Sequence, residues 1–366
     1  MFKKILLFIF LLLIVVSQSL NDFSSLSKDI KNSDKVNLLL TLNNNSGDIG
    51  NKNYLRLILF QYCRKNKNLK ILFIDDKITI LQKKLKSRTI NEMFFERKEE
   101  ERVDFIKKEV ESLLGNKINI GYYVFSDTKA LQSFIKIFNE PNIEKQLGKE
   151  YFKEFTENND YLTSLVYIIK VIKHIVGSSN RYVLVDFLRF LDSGNYVLTN
   201  LKLADALFIY SSARNFDAGS VRFADIPTVN KRNRIEADPA GLEKIINFIS
   251  QDDNPVADQP AEEKTKIEVI NASLKTRLAI KAVDKLRENG FDIFEWGTSY
   301  RIHEYSVIYD LINNYKQAFA VKNILNAGEI IFRPAEKSFV DISVLLGKDC
   351  TIYDKLDKIN KISQET

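Results

Sequence analysis

The sequence predicts an α/β protein in two parts: a larger mixed α/β domain followed by a small α+β sandwich. Three observations predict it. Short apolar, β-branched runs alternate with segments of helical period along most of the chain. An acidic stretch containing Pro255 and Pro260, from Ser250 to Lys264, then breaks the pattern in the manner of a linker. Beyond it the elements read β-α-β-β-α-β, which folds most simply as a small sheet with both helices on one face. A chain of 366 residues has room for two cores, and 45% hydrophobic with 28% charged residues is globular rather than disordered composition.

The elements follow in order. Lys3 and Lys4 precede an unbroken apolar run, Ile5 to Val16, and then Ser17-Gln18-Ser19. Twelve apolar residues are short for a membrane span of about twenty and suit a signal-peptide core. Residues 1–20 therefore read as a signal peptide or an N-terminal membrane anchor. Both keep the lysines cytoplasmic and export the rest. Residues 21–34 are polar and read as a tether. The first domain, 35–249, opens with the strand Lys35 to Leu40, continues with strands at Tyr54 to Tyr62 and Leu69 to Ile74, and then shows a helical stripe of Val103, Ile106, Val110, Leu113 and Leu114. A strand is expected at Ile118 to Phe125 and a helix at Thr128 to Phe138. The longest amphipathic segment is Tyr161 to Val176, with Lys170 and Lys173 off its apolar face. A helix over Gly241 to Ile249 closes the domain. After the linker, 250–264, the terminal domain spans 265–355 and leaves 356–366 as a tail.

In that terminal domain Ile267 to Ile270 reads as a strand, and Asn271-Ala272-Ser273 has turn and N-cap composition. Leu278, Ala279, Ala282, Val283 and Leu286 make one helical stripe, which Gly290 ends. Strands are expected at Phe291 to Phe294 and Ser306 to Leu311, a helix at Asn314 to Asn326, and a final strand at Val340 to Leu346.

Composition excludes several functions. Two histidines rule out histidine-rich metal sites, and there is no P-loop or Gly-rich dinucleotide motif. The distant Cys63 and Cys350 have no motif behind them and read as buried thiols. A formal charge of +6, spread along the chain, suits anionic partners without demanding them.

Three landmarks of the terminal domain resemble the C-terminal domain of the LytR-CpsA-Psr family of bacterial envelope proteins. They are Val269-Ile270-Asn271-Ala272-Ser273, Leu286 to Phe291, and Asp341 to Asp349. One departure is Arg277, which stands where the family usually has Gly before the Leu-Ala pair. The first domain resembles the family's catalytic domain in degenerate form, most clearly at Val197 to Leu201, Leu203-Ala204-Asp205, Val221 to Pro227 and Asp238-Pro239-Ala240-Gly241-Leu242. The resemblance implies a phosphotransferase that moves a glycan polymer from polyprenyl-pyrophosphate to peptidoglycan, using a divalent metal and a cluster of arginines. Guanidinium forks stabilise a pyrophosphate leaving group bidentately.

Here those positions differ. Thr41-Leu42-Asn43-Asn44 replaces the Asp after the opening strand, and Asn51-Lys52-Asn53-Tyr54 replaces Arg-Ser-Asp-Thr. Asp75-Asp76-Lys77 replaces Pro-Arg-Asp, and Lys149 to Leu165 contains no arginine. The expectation is thus an exported, membrane-associated pseudoenzyme that binds or scaffolds in the envelope, with no catalytic residue and no cofactor. The rival is a divergent phosphotransferase using Mg²⁺ on Asp75 and Asp76. Lys77, Lys83, Lys84, Lys86 and Arg88 are candidates for a lipid phosphate or an acidic glycan, although charge runs are usually solvated faces. Expected partners are the membrane, a polyprenyl-phosphate lipid, an anionic glycan or peptidoglycan, and no nucleic acid, since an exported chain cannot reach DNA.

Overall fold

A computed structural model of the chain describes residues 24–44, 54–80, 87–127, 162, 165, 166, 169, 170, 197–202, 204–205, 220–232, 234–251, 264–335 and 338–352. The expected leader, the helix at Thr128 to Phe138, most of Tyr161 to Val176, most of the linker and the tail lie outside these residues. The chain forms two compact units. The first draws on Met1–Ile71, Ile90–Gln146 and Val171–Val221, and the second on Leu72–Thr89, Leu147–Lys170 and Arg222–Thr366.

In the first unit β1 (Lys35–Asn44) and β2 (Tyr54–Cys63) pair antiparallel, Lys35 opposite Cys63 and Asn44 opposite Tyr54. On its other side β1 pairs in parallel with β6 (Tyr122–Asp127), which pairs antiparallel with β7 (Val197–Thr199). The expected strand at Ile118 to Phe125 therefore begins only at Tyr122. Between lie α2 (Ile90–Phe95) and α3 (Glu99–Leu113), with Val103, Phe105, Ile106 and Val110 of α3 buried. Phe94 of α2 stacks 5.4 Å from Phe125 of β6. The stretch read as a tether contains a docked helix, α1 (Ser25–Asn32). Its docking has a clear cause. The fully buried carboxylate of Asp205 accepts from Ser24 Oγ at 2.7 Å, through both of its oxygens from Ser25 Oγ at 3.2 and 3.0 Å, from the Leu26 N–H at 2.8 Å and from the Lys202 N–H at 2.8 Å. Burial alone would raise its pKa, but these donors together hold it below the usual value.

In the second unit the apolar end of β3 (Asn68–Ile74) leads to the short ribbon of β4 (Thr79–Ile80) and β5 (Arg88–Thr89). Then come β8 (Val221–Asp225), the hairpin of β9 (Thr228–Lys231) and β10 (Arg234–Ala237), and α4 (Pro239–Ser250). The Asp-Pro-Ala-Gly start of α4 is locally determined. Asp238 Oδ2 caps the Gly241 N–H, Pro239 sits in the first turn, and a Cβ on Gly241 would fall 2.3 Å from Pro227 Cγ.

The terminal block is a two-layer sandwich with one strand more than expected. Its elements are β11 (Lys266–Asn271), α5 (Leu278–Glu288), β12 (Asp292–Thr298), β13 (Val307–Asp310), α6 (Tyr315–Leu325), β14 (Glu329–Phe332) and β15 (Ile342–Leu346). The strands lie in the order β12-β11-β15-β13-β14-β8. All neighbours are parallel except β15 and β13. The unforeseen strand is β14, four residues long, which pairs with β13 on one side and touches β8 through Phe332 and Ala224 on the other. Both helices cover one face. The predicted α5 stripe is buried against Ile267, Val269, Ile308, Ile330, Ile342 and Val344, alongside Ala318, Val321 and Leu325 of α6. The helix ends where the sequence predicts. Gly290, at φ +86°, donates to the Arg287 carbonyl at 2.9 Å and Phe291 N–H to the Leu286 carbonyl at 3.2 Å, the paired bonds of a Schellman stop.

Candidate functional site

The sequence candidates sit where β3 ends. Asp75 Oδ1 accepts from the Lys77 N–H at 2.9 Å, and the Ile78 N–H reaches the Asp75 carbonyl at 3.2 Å, so the aspartate closes a turn. Asp76 is 3% exposed, while Lys77 and Arg88 are exposed. Lys83, Lys84 and Lys86 lie outside the described residues. With one oxygen of Asp75 engaged in the turn and Asp76 buried, the pair does not present the open oxygen cluster that a hard divalent cation takes. Among the described residues no group of three or more His, Cys, Asp or Glu is arranged to hold a metal.

Two of the landmark motifs, Asn271-Ala272-Ser273 and Gly347-Lys348-Asp349, meet at one end of the terminal sheet, and each does structural work. Asn271 does not cap α5. Its Oδ1 instead accepts from Ser273 N–H and Oγ, and its Nδ2 donates to the Lys275 carbonyl at 2.9 Å, forming a closed turn. The helix starts later, behind Arg277 at φ +61°. A Cβ on Gly347 would lie 2.3 Å from the Tyr305 carbonyl carbon, so only glycine fits there. Asp349 Oδ1 accepts from both the N–H and the Oγ of Ser306 at 2.7 Å. Lys170 Nζ lies 3.8 Å from the centroid of the Tyr305 ring and 3.9 Å from Asp349 Oδ2, and burial pulls its pKa down against the pull of Asp349. Cys63 and Cys350 are both buried free thiols.

Among the described residues, a cleft with room for a ligand lies on the opposite face of the terminal sheet from α5 and α6. Alternation dictates what stands there. Between the core residues Ile267 and Val269, Ile342 and Val344, and Ile308 and Asp310 come Glu268, Ser343 and Tyr309. Register aligns them. Glu295 of β12 pairs with Glu268 of β11, Glu268 with Ser343 of β15, and Ser343 with Tyr309 of β13. Four polar side chains thus form one row across four strands, about 4.8 Å apart. Ser343 Oγ donates to Glu268 Oε1.

A register shift between β11 and β12 makes Phe294 an extra residue on the edge strand. Phe294, 55% exposed, lies nearly parallel (11°) to Phe339, 80% exposed, with ring centroids 6.3 Å apart. These residues, with Asp238, Arg333 and Pro227, line a cleft of about 580 Å³. Arg333 is turned to the wall, its Nε 3.5 Å from Asp225 Oδ2 and its guanidinium carbon 5.4 Å from the Tyr309 ring centroid. Pro227, Asp238 and Ser343 stand in the sequence only within motifs of the family resemblance, and nothing in the sequence joins these residues into one site, because the row meets only through the pairing of four strands.

Comparison with known proteins places the terminal block. Residues 264–349 match the family described as LytR cell envelope-related transcriptional attenuator. No curated protein matches the chain. Among solved structures the chain is similar to Bacillus subtilis TagV, at 16% identity and a TM-score of 0.43, over 59% of this chain and 95% of that one. It is also similar to TagT bound to LI-WTA, at 15% identity and a TM-score of 0.44 over 60% and 90%, and to protein gbs0355 from Streptococcus agalactiae, at 12% identity and 0.45 over 62% and 90%. The sheet, its Schellman stop and the Gly347 close approach thus lie within the segment, residues 264–349, that matches this family.

Proposed function

We propose that this chain is an exported, membrane-associated envelope protein that binds or scaffolds wall glycopolymer and does not transfer it. One observation carries the reading: the cleft borders the sheet of the segment that matches the cell envelope-related family, on the face its helices leave open. Two others support it. The arginine cluster that phosphoryl transfer from a pyrophosphate needs is missing at the matching positions of the sequence, which removes bidentate transition-state stabilisation. Asp75, a metal ligand in the rival reading, holds a turn. The apolar run Ile5 to Val16 after Lys3-Lys4 supports export and attachment to the membrane. Among the described residues no helix is long and apolar enough to cross a membrane.

The test is a turnover assay. Purified full chain with Mg²⁺ and a polyprenyl-pyrophosphate glycan is expected to leave the lipid intact, with the Asp75→Ala/Asp76→Ala double variant indistinguishable from wild type. Release of polyprenyl-pyrophosphate by the wild type, abolished in the double variant, replaces this reading with a divergent phosphotransferase.

A further inference from the structure

We infer that the open-face cleft of the terminal block binds an uncharged polysaccharide, and that it excludes anionic glycopolymers; this deepens the envelope-binding reading and rests on it. The inference starts from a cost. Glu295 and Glu268 are paired directly across parallel strands, and like charges so placed repel. Nothing in the fold of the sheet requires carboxylates at these two positions, since both stand on the face away from the core. A ligand offering hydroxyl or amide protons relieves the repulsion, because each carboxylate accepts at several lone pairs.

The row continues the same chemistry with the Ser343 hydroxyl and the Tyr309 phenol, so donors and acceptors repeat at strand spacing along a straight line. A linear chain carrying hydroxyls at regular intervals matches such a row. Beside it stand the near-parallel rings of Phe294 and Phe339, both exposed. Their electron-rich faces suit the C–H face of a pyranose, whereas a closed apolar pocket would suit an aliphatic side chain.

Charge then selects among glycans. Glu268, Glu295 and Asp238 face the cleft against the single guanidinium of Arg333, which Asp225 engages from behind. The local field is negative, so phosphate or uronate groups are repelled on approach. A basic peptide shares the preference for negative charge, but it does not need flat aromatic planes; it is kept as an outcome of the test.

The chain's single tryptophan, Trp296, pairs with the core residue Val269 and lies against Arg287 of α5 on the helix-covered face, so binding in the cleft is followed by isothermal titration calorimetry. The full chain is titrated with a hexamer of N-acetylglucosamine, with poly(glycerol phosphate) and with oligolysine. The hexamer is expected to give a saturable heat. The Phe294→Ala/Phe339→Ala double variant is expected to bind it about tenfold more weakly, since two ring contacts are lost. Glu268→Gln is expected to weaken it less, and poly(glycerol phosphate) is expected not to compete even at low salt. Both rings are exposed, so the double variant keeps the far-ultraviolet circular dichroism of wild type.

Tighter binding of poly(glycerol phosphate) or of oligolysine than of the hexamer, lost in the same ring variant, overturns the assignment. So does a flat hexamer titration by folded wild type. In that last case, co-sedimentation of the same chain with isolated cell-wall sacculi separates the two ideas: retention leaves the envelope reading standing with its site elsewhere, and no retention removes both.

Discussion

The two faces of the terminal sheet are made by the same strands and differ in every respect that matters for function. One face carries Ile267, Val269, Ile308, Ile330, Ile342 and Val344 under two helices and is closed. The other carries Glu268, Ser343, Tyr309 and Glu295 in a row and is open to a cleft. A period of two commits each strand to both tasks at once, so stability and recognition can be altered separately. The contrast with the first unit is also instructive. There the buried carboxylate, Asp205, is taken up by α1 and the Lys202 N–H, whereas on the open face Glu268 takes one bond from Ser343 and Glu295 stands exposed.

The largest effect is expected from breaking the closed face. Leu286→Ala removes a fully buried side chain from the α5 stripe and should cost about 2–5 kcal/mol in urea unfolding followed by Trp296 fluorescence. Phe294→Ala, on the open face, should change stability by no more than about 0.5 kcal/mol while impairing binding. Equal losses from the two substitutions would show that the faces are not independent.

A second measurement sharpens the closed face itself. Asp310 stands on that side, 1% exposed, and accepts from the Asn314 N–H at 2.9 Å and the Ile312 N–H at 3.2 Å at the start of α6. Burial raises its pKa to about 6, against the lowering by those N–H groups and by Arg222. The folded carboxyl thus holds its proton more tightly than the unfolded one. Stability should fall as pH rises from 3.8 towards about 6 and stay lower above it. Asp310→Asn keeps an oxygen for the two N–H groups and cannot ionise. It should flatten that part of the melting-temperature profile and gain on the order of 2 kcal/mol at neutral pH. An unchanged slope in the variant would assign the pH dependence to other groups.

The smallest effect is at the entry to α5. Arg277, exposed, holds a left-handed backbone at φ +61° just before the Leu278-Ala279 pair. The resemblance to the family leads one to expect Gly at this place, and the backbone explains why. Left-handed geometry costs a side chain about 1–2 kcal/mol, partly offset by the greater unfolded freedom of Gly. Arg277→Gly should therefore stabilise the block by about 0.5–1 kcal/mol in the same unfolding assay, with cleft binding unchanged.

Much of the fold could be read locally. The α5 stripe, the stop at Gly290, the Asp238 cap with Pro239 and the buried run ending at Ile74 each depend on residues within a turn or two of one another. Their geometry is set by backbone period and by side chains reaching their own main chain. β14 was hidden because Glu329–Phe332 is four residues long and runs straight into Arg333-Pro334; its strand character comes from β13 beside it. Asn271 looked like a helix cap because cap and turn use the same side-chain oxygen, and only the position of Arg277 separates them.

The sequence by itself determined which residues share a face of each strand, since that needs only the alternation of side chains along the backbone. It could not determine which strands lie side by side. That choice rests on pairing between β11, β12, β13 and β15, whose partners are separated by up to 75 positions in the chain, as Glu268 and Ser343 are. Tertiary structure alone therefore brought Glu295, Glu268, Ser343 and Tyr309 into one row and set two phenylalanines beside it. Loop closure and packing fix the order of strands, and no local period encodes them.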